Sequence, residues 1–336
     1  MHTLADRYQL RRVIGRGGLG RVWAARDLMT GREVAVKTSD HTAAERLRRE
    51  AALIARVDHP GVVDVLDTGE DGQTVFYVME LLPGRDLSAV LRDGPLPAPV
   101  AVQVAAGLAD ILHATHRSGV VHGDVKPANV VLTDDDVVLV DFGAAATTHD
   151  GPHRETVGTA PYMAPEQVTC RPLTPATDLY SLGCLLVSAL AGRPPFWSDS
   201  PTEVLRWQVR AEPPRLRDLL DGVPERLEEL VGRLLRKDPA HRGSAAAVRD
   251  ALRELQGHPA LAGVTPRATV PPVRVDPQAT MPALTLLTTA RHCGPDHRLP
   301  PRATTGGAAP TRPAVRRAAR QPEPGRRRAR DGHLVR

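Results

Sequence analysis

The chain has 336 residues, 41% of them hydrophobic, enough to bury the core of one large domain or two smaller ones. Its three cysteines, Cys170, Cys184 and Cys293, are too few and too scattered for a disulfide framework or a metal cluster, which excludes a small secreted scaffold and fits a reducing compartment. The net charge of +5 is unevenly placed: residues 257–336 hold 14 Arg, no Lys and 4 acids, so residues 1–256 are acidic on balance and the basic character belongs to the tail.

Taken in chain order, Tyr8–Gly15 and Leu19–Asp27 read as strands joined by a glycine-rich turn, and Arg32–Thr38 as a third strand. Thr42–Val57 has helical periodicity, with Leu47, Ala51 and Ile54 on one face. "HPG" at His59–Gly61 stops it. Val62–Asp67 and Thr74–Glu80 read as two more strands, giving a five-stranded antiparallel sheet with one helix. Helices are then expected at Pro99–Arg117, Asp178–Ala191, Pro201–Arg210, Pro224–Arg236 and Ser244–Leu255, with short strands at Val130–Leu132 and Val137–Val140. The fold class is therefore α+β: a small β-rich lobe over about 8–80 and a larger helical lobe over about 83–256. From Gly257 to Arg336 the chain is rich in Pro, Ala, Arg, Thr and Gly without periodicity, which predicts a disordered tail.

No signal-like apolar core follows Met1, and no run is expected to reach the roughly 18 to 20 apolar residues that cross a bilayer. Met281–Ala290, the longest candidate considered, is short and contains proline. No transmembrane segment and a cytoplasmic location are the expectations. The arginines of Arg316–Arg330 suit contact with nucleic acid or an acidic surface; a solvated tail accounts for them more simply.

Lysine is rare. Lys37, Lys126 and Lys237 stand among 44 basic residues, the rest being arginine. Where lysine persists, a compact point charge is required rather than a planar guanidinium.

"GRGGLGRV" sets Gly15, Gly17 and Gly20 in G-x-G-x-x-G, with Gly18 between them and Val22 after. Glycine lets a backbone approach a phosphate, but the pattern alone is weak. The strand-like "RVWAARD" that follows argues against a dinucleotide site, which needs a helix there. Lys37 ends the apolar strand "VAVK", and Glu50 on the next helix can pair with it. In "HGDVKPAN", Asp124 can accept a proton from a hydroxyl, Lys126 can neutralise phosphate charge, and Asn129 offers an oxygen to a hard cation. Asp141 opens "DFG", with Phe142 and Gly143, and can ligate Mg²⁺. Phosphoryl transfer needs positioning and charge neutralisation, which these groups supply.

The ordered set "GRGGLGRV", "VAVK", Glu50, "HGDVKPAN", "DFG", "APE" and "DLYSLG" resembles a bacterial serine/threonine protein kinase of the eukaryotic-like (Hanks) type, over roughly residues 8–256. The resemblance implies a bilobal kinase fold, ATP with Mg²⁺ (or Mn²⁺), and protein substrates phosphorylated on Ser or Thr. It implies that Lys37 holds the α- and β-phosphates and pairs with Glu50, that Asp124 is the catalytic base, that Lys126 contacts the γ-phosphate, and that Asn129 and Asp141 bind the metal. Ile14, Val22, Ala35 and Val131 would enclose the adenine, Met79 would be the gatekeeper, and the backbones of Glu80 and Leu82 would meet the base. Thr159 would brace Asp124, Glu166 would pair with Arg242, and Asp178 would tie down the catalytic loop. His122 and Phe142 read as packing residues. Related kinases often pair their small lobes back to back, which keeps a homodimer open.

Gly123 departs from the pattern, because most relatives carry an arginine there that receives an activation-loop phosphate. A phosphate on the candidate sites Thr147, Thr148 or Thr156 then loses its usual partner; Thr269 and Thr280 in the tail are further autophosphorylation candidates. Two other readings stay open. "HGDxxxxN" also resembles small-molecule phosphotransferases acting on aminoglycosides or choline, and a pseudokinase scaffold would share the fold without turnover.

Overall fold

The computed structural model describes residues 2–17, 20–134, 136–148 and 159–267. The chain divides into two units, 1–294 and 295–336, and everything described belongs to the first. Gly18, Thr156, Thr269, Thr280, Cys293, Met281–Ala290 and the Arg316–Arg330 cluster lie outside the described residues.

Strands β1 (His2–Leu4), β2 (Tyr8–Gly17), β3 (Gly20–Asp27) and β4 (Glu33–Asp40) precede helix α1 (Ala44–Ile54), and β5 (Val65–Asp71) and β6 (Thr74–Glu80) follow it. They form one six-stranded antiparallel sheet in the order β1-β2-β3-β4-β6-β5. The expected five strands become six because His2–Leu4 doubles back on Tyr8–Leu10; three residues are too few to show a period. The strand expected at Val62–Asp67 starts late. Val62 and Val63 are buried in the main core, and Gly61 and Val62 reach across to Leu139 instead of joining the sheet. The helix expected from Thr42 begins at Ala44, after a 3₁₀ turn over His41–Ala43 capped by the Asp40 carboxylate.

Alternation along the strands sorts side chains onto two faces. Val34, Val36, Phe76 and Val78 gather with Leu4, Tyr8, Leu10 and Ala25 on one. Val75 and Tyr77 point the other way, towards Leu47, Ala51 and Ile54 of α1. This second face, shared with Lys37, is where the site is built.

The larger lobe begins with β7 (Arg85–Asp86), α2 (Leu87–Leu91) and α3 (Ala98–Arg117), then β8 (Val120–Val121), β9 (Val130–Leu132), β10 (Val137–Leu139) and β11 (Ala146–Thr147). It continues with α4 (Pro165–Val168), α5 (Pro175–Ala191), α6 (Pro201–Arg210), α7 (Leu216–Leu219), β12 (Leu220–Asp221), α8 (Glu225–Leu234), α9 (Ala245–Leu255) and β13 (Thr265–Pro266). α5 is buried on every side from Thr177 to Leu190, as a helix apolar all round must be. It starts three residues before the expected Asp178, because the Thr177 hydroxyl accepts from the Thr174 N–H and Pro175 fits the first turn. α3 packs on both α5 and α9.

By length and composition α3 is apolar enough to cross a membrane, which corrects the expectation that no such run exists. Most of its apolar residues are buried in the lobe's core.

The expected boundary at residue 256 also falls short. Past α9, a 3₁₀ turn over Pro259–Gly263 buries Leu261, and β13 pairs with β12. Gly222 permits this approach: a Cβ there would lie 2.4 Å from the Gly263 carbonyl oxygen. Arg267 then bonds Asp221. Composition hides this segment because one leucine and a two-residue strand carry it. Leu261→Ala is expected to cost about 2–5 kcal/mol in urea unfolding of the whole chain; an unchanged midpoint would mean that the segment merely lies on the surface.

Candidate active site

The second face of β4 carries Ala35 and Lys37. A buried ammonium on a strand is costly unless it is paired, and Lys37 is 5% exposed. Its Nζ donates to both oxygens of Glu50, at 2.7 and 2.9 Å, and to Asp141 Oδ1 at 2.7 Å. Burial alone would lower the Lys37 ammonium, but the two carboxylates outweigh it and hold the charge above its ordinary range. Burial pushes the Glu50 carboxyl up, opposed by the Lys37 charge. Burial also acts to raise Asp141; Lys37 wins there and draws that carboxyl below the usual range.

The glycine-rich turn has two kinds of glycine. Gly20 has φ +133°, and a Cβ on it would sit 1.9 Å from the Thr38 carbonyl oxygen, so the sheet itself forbids any side chain. Among the described residues, nothing lies within 4 Å of a Cβ built on Gly17, which leaves room there for a ligand to meet backbone. Register sets Val22 opposite both Gly15 and Lys37, and Ala35 opposite Ala24 and Met79. Glu80 ends β6, Leu82 follows with Met79 and Val131 against the core, and Ile14 is 39% exposed at the sheet's rim.

The polar loop between β8 and β9 is held from below. Asp178 is fully buried and accepts from the backbone N–H groups of His122 (2.9 Å) and Gly123 (2.8 Å), while His116 Nε2 lies 2.8 Å from it. Burial would raise the Asp178 carboxyl, but the His116 contact and these donors leave it lowered. Gly123 has φ +74°, which glycine adopts without strain. A Cβ there would meet the Ala144 carbonyl oxygen at 2.9 Å and Leu173 Cδ1 at 3.0 Å. Gln167 closes the loop by donating to the Gly123 carbonyl at 2.7 Å.

Above this support sit the chemical groups. Lys126 Nζ is 2.5 Å from Asp124 Oδ2, and Asn129 Nδ2 donates to the Asp124 carbonyl at 2.9 Å and to Oδ2 at 3.2 Å. Among the described residues, no hydrogen bond reaches Asp124 Oδ1 or Asn129 Oδ1. His122 Nδ1 accepts from the Asp124 N–H, which leaves Nε2 to donate to the Val140 carbonyl, 3.2 Å away. Val140 N–H in turn donates to the Asn129 carbonyl at 2.9 Å. Asp141 comes next in the chain, at φ +64°, a strained value for a residue with a side chain. Phe142 is buried edge-on against the His122 ring at 4.6 Å. The two loops are thus stitched together at Val140, and Lys37 joins Asp141 to the sheet.

Residues 8–252 match the protein kinase domain. The chain belongs to the protein kinase family. It is 36% identical over 274 residues to serine/threonine-protein kinase PknB of Mycobacterium leprae, covering 76% of this chain and 44% of that protein. It is 36% identical over 327 residues to serine/threonine-protein kinase PknH of Mycobacterium tuberculosis, covering 94% and 48%. It is 37% identical over 316 residues to serine/threonine-protein kinase PknA of the same species, covering 87% and 70%. The chain spans less than half the length of PknB and PknH.

Within this kinase domain Glu166 and Arg242 form the expected pair, at 2.6 and 2.9 Å. The expected Thr159 brace is absent among the described residues: Lys126 and Asn129 hold Asp124, and the Thr159 carbonyl accepts from Tyr162 N–H. Thr147 sits in the β8–β11 ladder opposite Val120, and Thr148 N–H donates to Gly119. Gly143 follows Phe142 in the exposed turn.

Sequence reasoning missed four residues of this scaffold: Tyr77, His116, Gln167 and the role of Lys237. Lys237 Nζ donates to the Tyr180 hydroxyl and the Trp207 and Gln208 carbonyls, and lies 4.6 Å from the centre of the Phe196 ring. Burial pushes this ammonium down to about 7. Only a compact cation fits three oxygens and a ring at the end of α6, so the scarcity of lysine was the available signal.

Proposed function

We propose that the chain transfers the γ-phosphate of ATP to serine or threonine hydroxyls of proteins. The carrying observation is the convergence of Lys37, Glu50 and Asp141 with the Val140-linked loop that bears Asp124, Lys126 and Asn129. Lys37 holds the α- and β-phosphates, with Glu50 as its fixed partner. The substrate hydroxyl oxygen bonds to the γ-phosphorus as the bond to the β-bridging oxygen breaks. Its proton passes to the Asp124 carboxylate through the open Oδ1, and ADP departs. Lys126, beside Asp124, neutralises charge on the phosphoryl group in transit.

The donor set suits Mg²⁺: a carboxylate at Asp141, whose side chain is 42% exposed, and the free amide oxygen of Asn129 are hard oxygen ligands. When bound, Mg²⁺ would neutralise the phosphate oxygens and orient them. Val22, Ala35, Met79, Leu82 and Val131 enclose the adenine, which meets the backbone near Glu80. A cytoplasmic setting fits this chemistry.

The protein-substrate reading is favoured over a small-alcohol one by the buried Glu166–Arg242 pair and the α5–α6 scaffold, which build a broad platform. Competing a protein substrate against an aminoglycoside or choline with γ-labelled ATP tests it: label is expected on Ser or Thr of protein. Label confined to the small alcohol would overturn the reading.

Activity is expected to depend little on loop phosphorylation. The space a side chain at position 123 would enter is taken by Ala144 and Leu173, and Leu173 packs with Val121 and Ala146. Alanine at Thr147, Thr148 and Thr156 together should leave turnover within about threefold, the scale of surface changes. A loss of about two orders of magnitude, the scale of a lost catalytic group, would contradict this.

A further inference from the structure

We propose that Tyr77 is a positioning residue for the phosphate-binding lysine: its buried hydroxyl donates to Glu50 and fixes that carboxylate, and through it Lys37, from the sheet side. The inference rests on the kinase reading of the site. β4 and β6 pair antiparallel with Lys37 directly opposite Tyr77, so the two side chains leave the same face as neighbours. Both converge on one group of α1. Tyr77 Oη lies 3.0 Å from Glu50 Oε1, and Lys37 Nζ lies 2.7 Å from the same oxygen.

The surroundings make the hydroxyl matter. Tyr77 is 2% exposed, and Glu50 is the one side chain its hydroxyl bonds among the described residues. Packing alone would accept phenylalanine, as Phe76 on the other face shows. A buried hydroxyl is tolerated where a partner takes it. Burial pushes the phenol well above its ordinary range, so it stays a donor at any working pH. The start of α1 has no side-chain cap, since Ala43 occupies the capping position. The helix is held on the sheet by its apolar packing, by the Arg48 bond to Glu70 and, at Glu50, by this clasp. A lysine shared between Glu50 and Asp141 needs one anchor that stays put when phosphate arrives, and Glu50 held by Tyr77 is that anchor.

Tyr77→Phe, alone and with Glu50→Gln, tests the assignment in the whole 336-residue chain. The single variant should stay folded, melting within a few degrees of the wild type, and lose about tenfold in kcat/KM for ATP, the worth of a hydrogen bond to a charged group. The acid limb of its pH profile should move to higher pH, because Glu50 loses a donor that favours its charged form. In the Glu50→Gln background the same change should cost less than about twofold. In ¹³C-labelled protein the Glu50 carboxyl should also titrate at higher pH in Tyr77→Phe than in the wild type. Wild-type kcat/KM together with an unmoved Glu50 titration would overturn the assignment. If the wild type transfers no phosphate, the kinase reading falls, and the titration still decides Tyr77: a displaced curve supports it and an unmoved one overturns it.

Discussion

Asp124→Asn is expected to slow phosphate transfer to protein by about three orders of magnitude while ATP affinity stays within about twofold. Asparagine matches aspartate in shape, so the carbonyl bond to Asn129 and the loop's support by Asp178 survive. What disappears is a carboxylate able to take a proton at Oδ1. The ion pair with Lys126 at 2.5 Å is lost as well, which frees that ammonium without moving the nucleotide's anchor, because Lys37 is held separately by Glu50. Rapid-quench transfer rates and calorimetric ATP titration separate the two effects. Turnover within tenfold of wild type would mean that positioning and charge neutralisation carry the reaction without a base at Asp124.

The largest effect on stability is expected at Arg242. Its side chain is fully buried, and all five guanidinium N–H donors are used: Nε on the Arg236 carbonyl, Nη1 on Glu166 and the Ala176 carbonyl, Nη2 on Glu166 and the Lys237 carbonyl. The ring of Tyr180 lies 4.9 Å from the guanidinium carbon. Arg242→Ala leaves Glu166 charged, buried and unpaired, and takes one donor from each of three carbonyls. A loss of about 3–5 kcal/mol is expected in denaturant unfolding. Removing the charge as well, with Glu166→Gln and Arg242→Met, should restore part of it, since an unpaired charge costs more than a missing pair. Equal losses in the single and double variants would show that the carbonyls, rather than the Glu166 charge, set the penalty.

The chemical groups were legible because phosphoryl transfer restricts residue types. No other side chain replaces a point-charge amine at Lys37 or a carboxylate at Asp141, and their spacing against Asn129 and Glu50 narrowed the reading further. The strands were legible from alternation, as in "REVAVKT" and "TVFYVME". The same alternation concealed Tyr77: within an apolar run it looks like one more packing residue, and its worth depends on the register that sets it opposite Lys37. Gln167 and His116 were hidden for a similar reason, since each acts on a backbone or a carboxylate distant in the chain. Val62 and Val63 read as strand residues because burial, not pairing, selects for valine there. The Thr159 brace came from resemblance alone and has no counterpart in the hydrogen bonds of Asp124.

These residues describe a cleft that grips a nucleotide by one amine and presents a proton acceptor to a hydroxyl. Incubating the purified protein with γ-labelled ATP and Mg²⁺, beside Lys37→Met, tests that description most directly. Label is expected on serine or threonine in the wild type and none above background in the variant. Equal labelling of both, or label on neither, would contradict it.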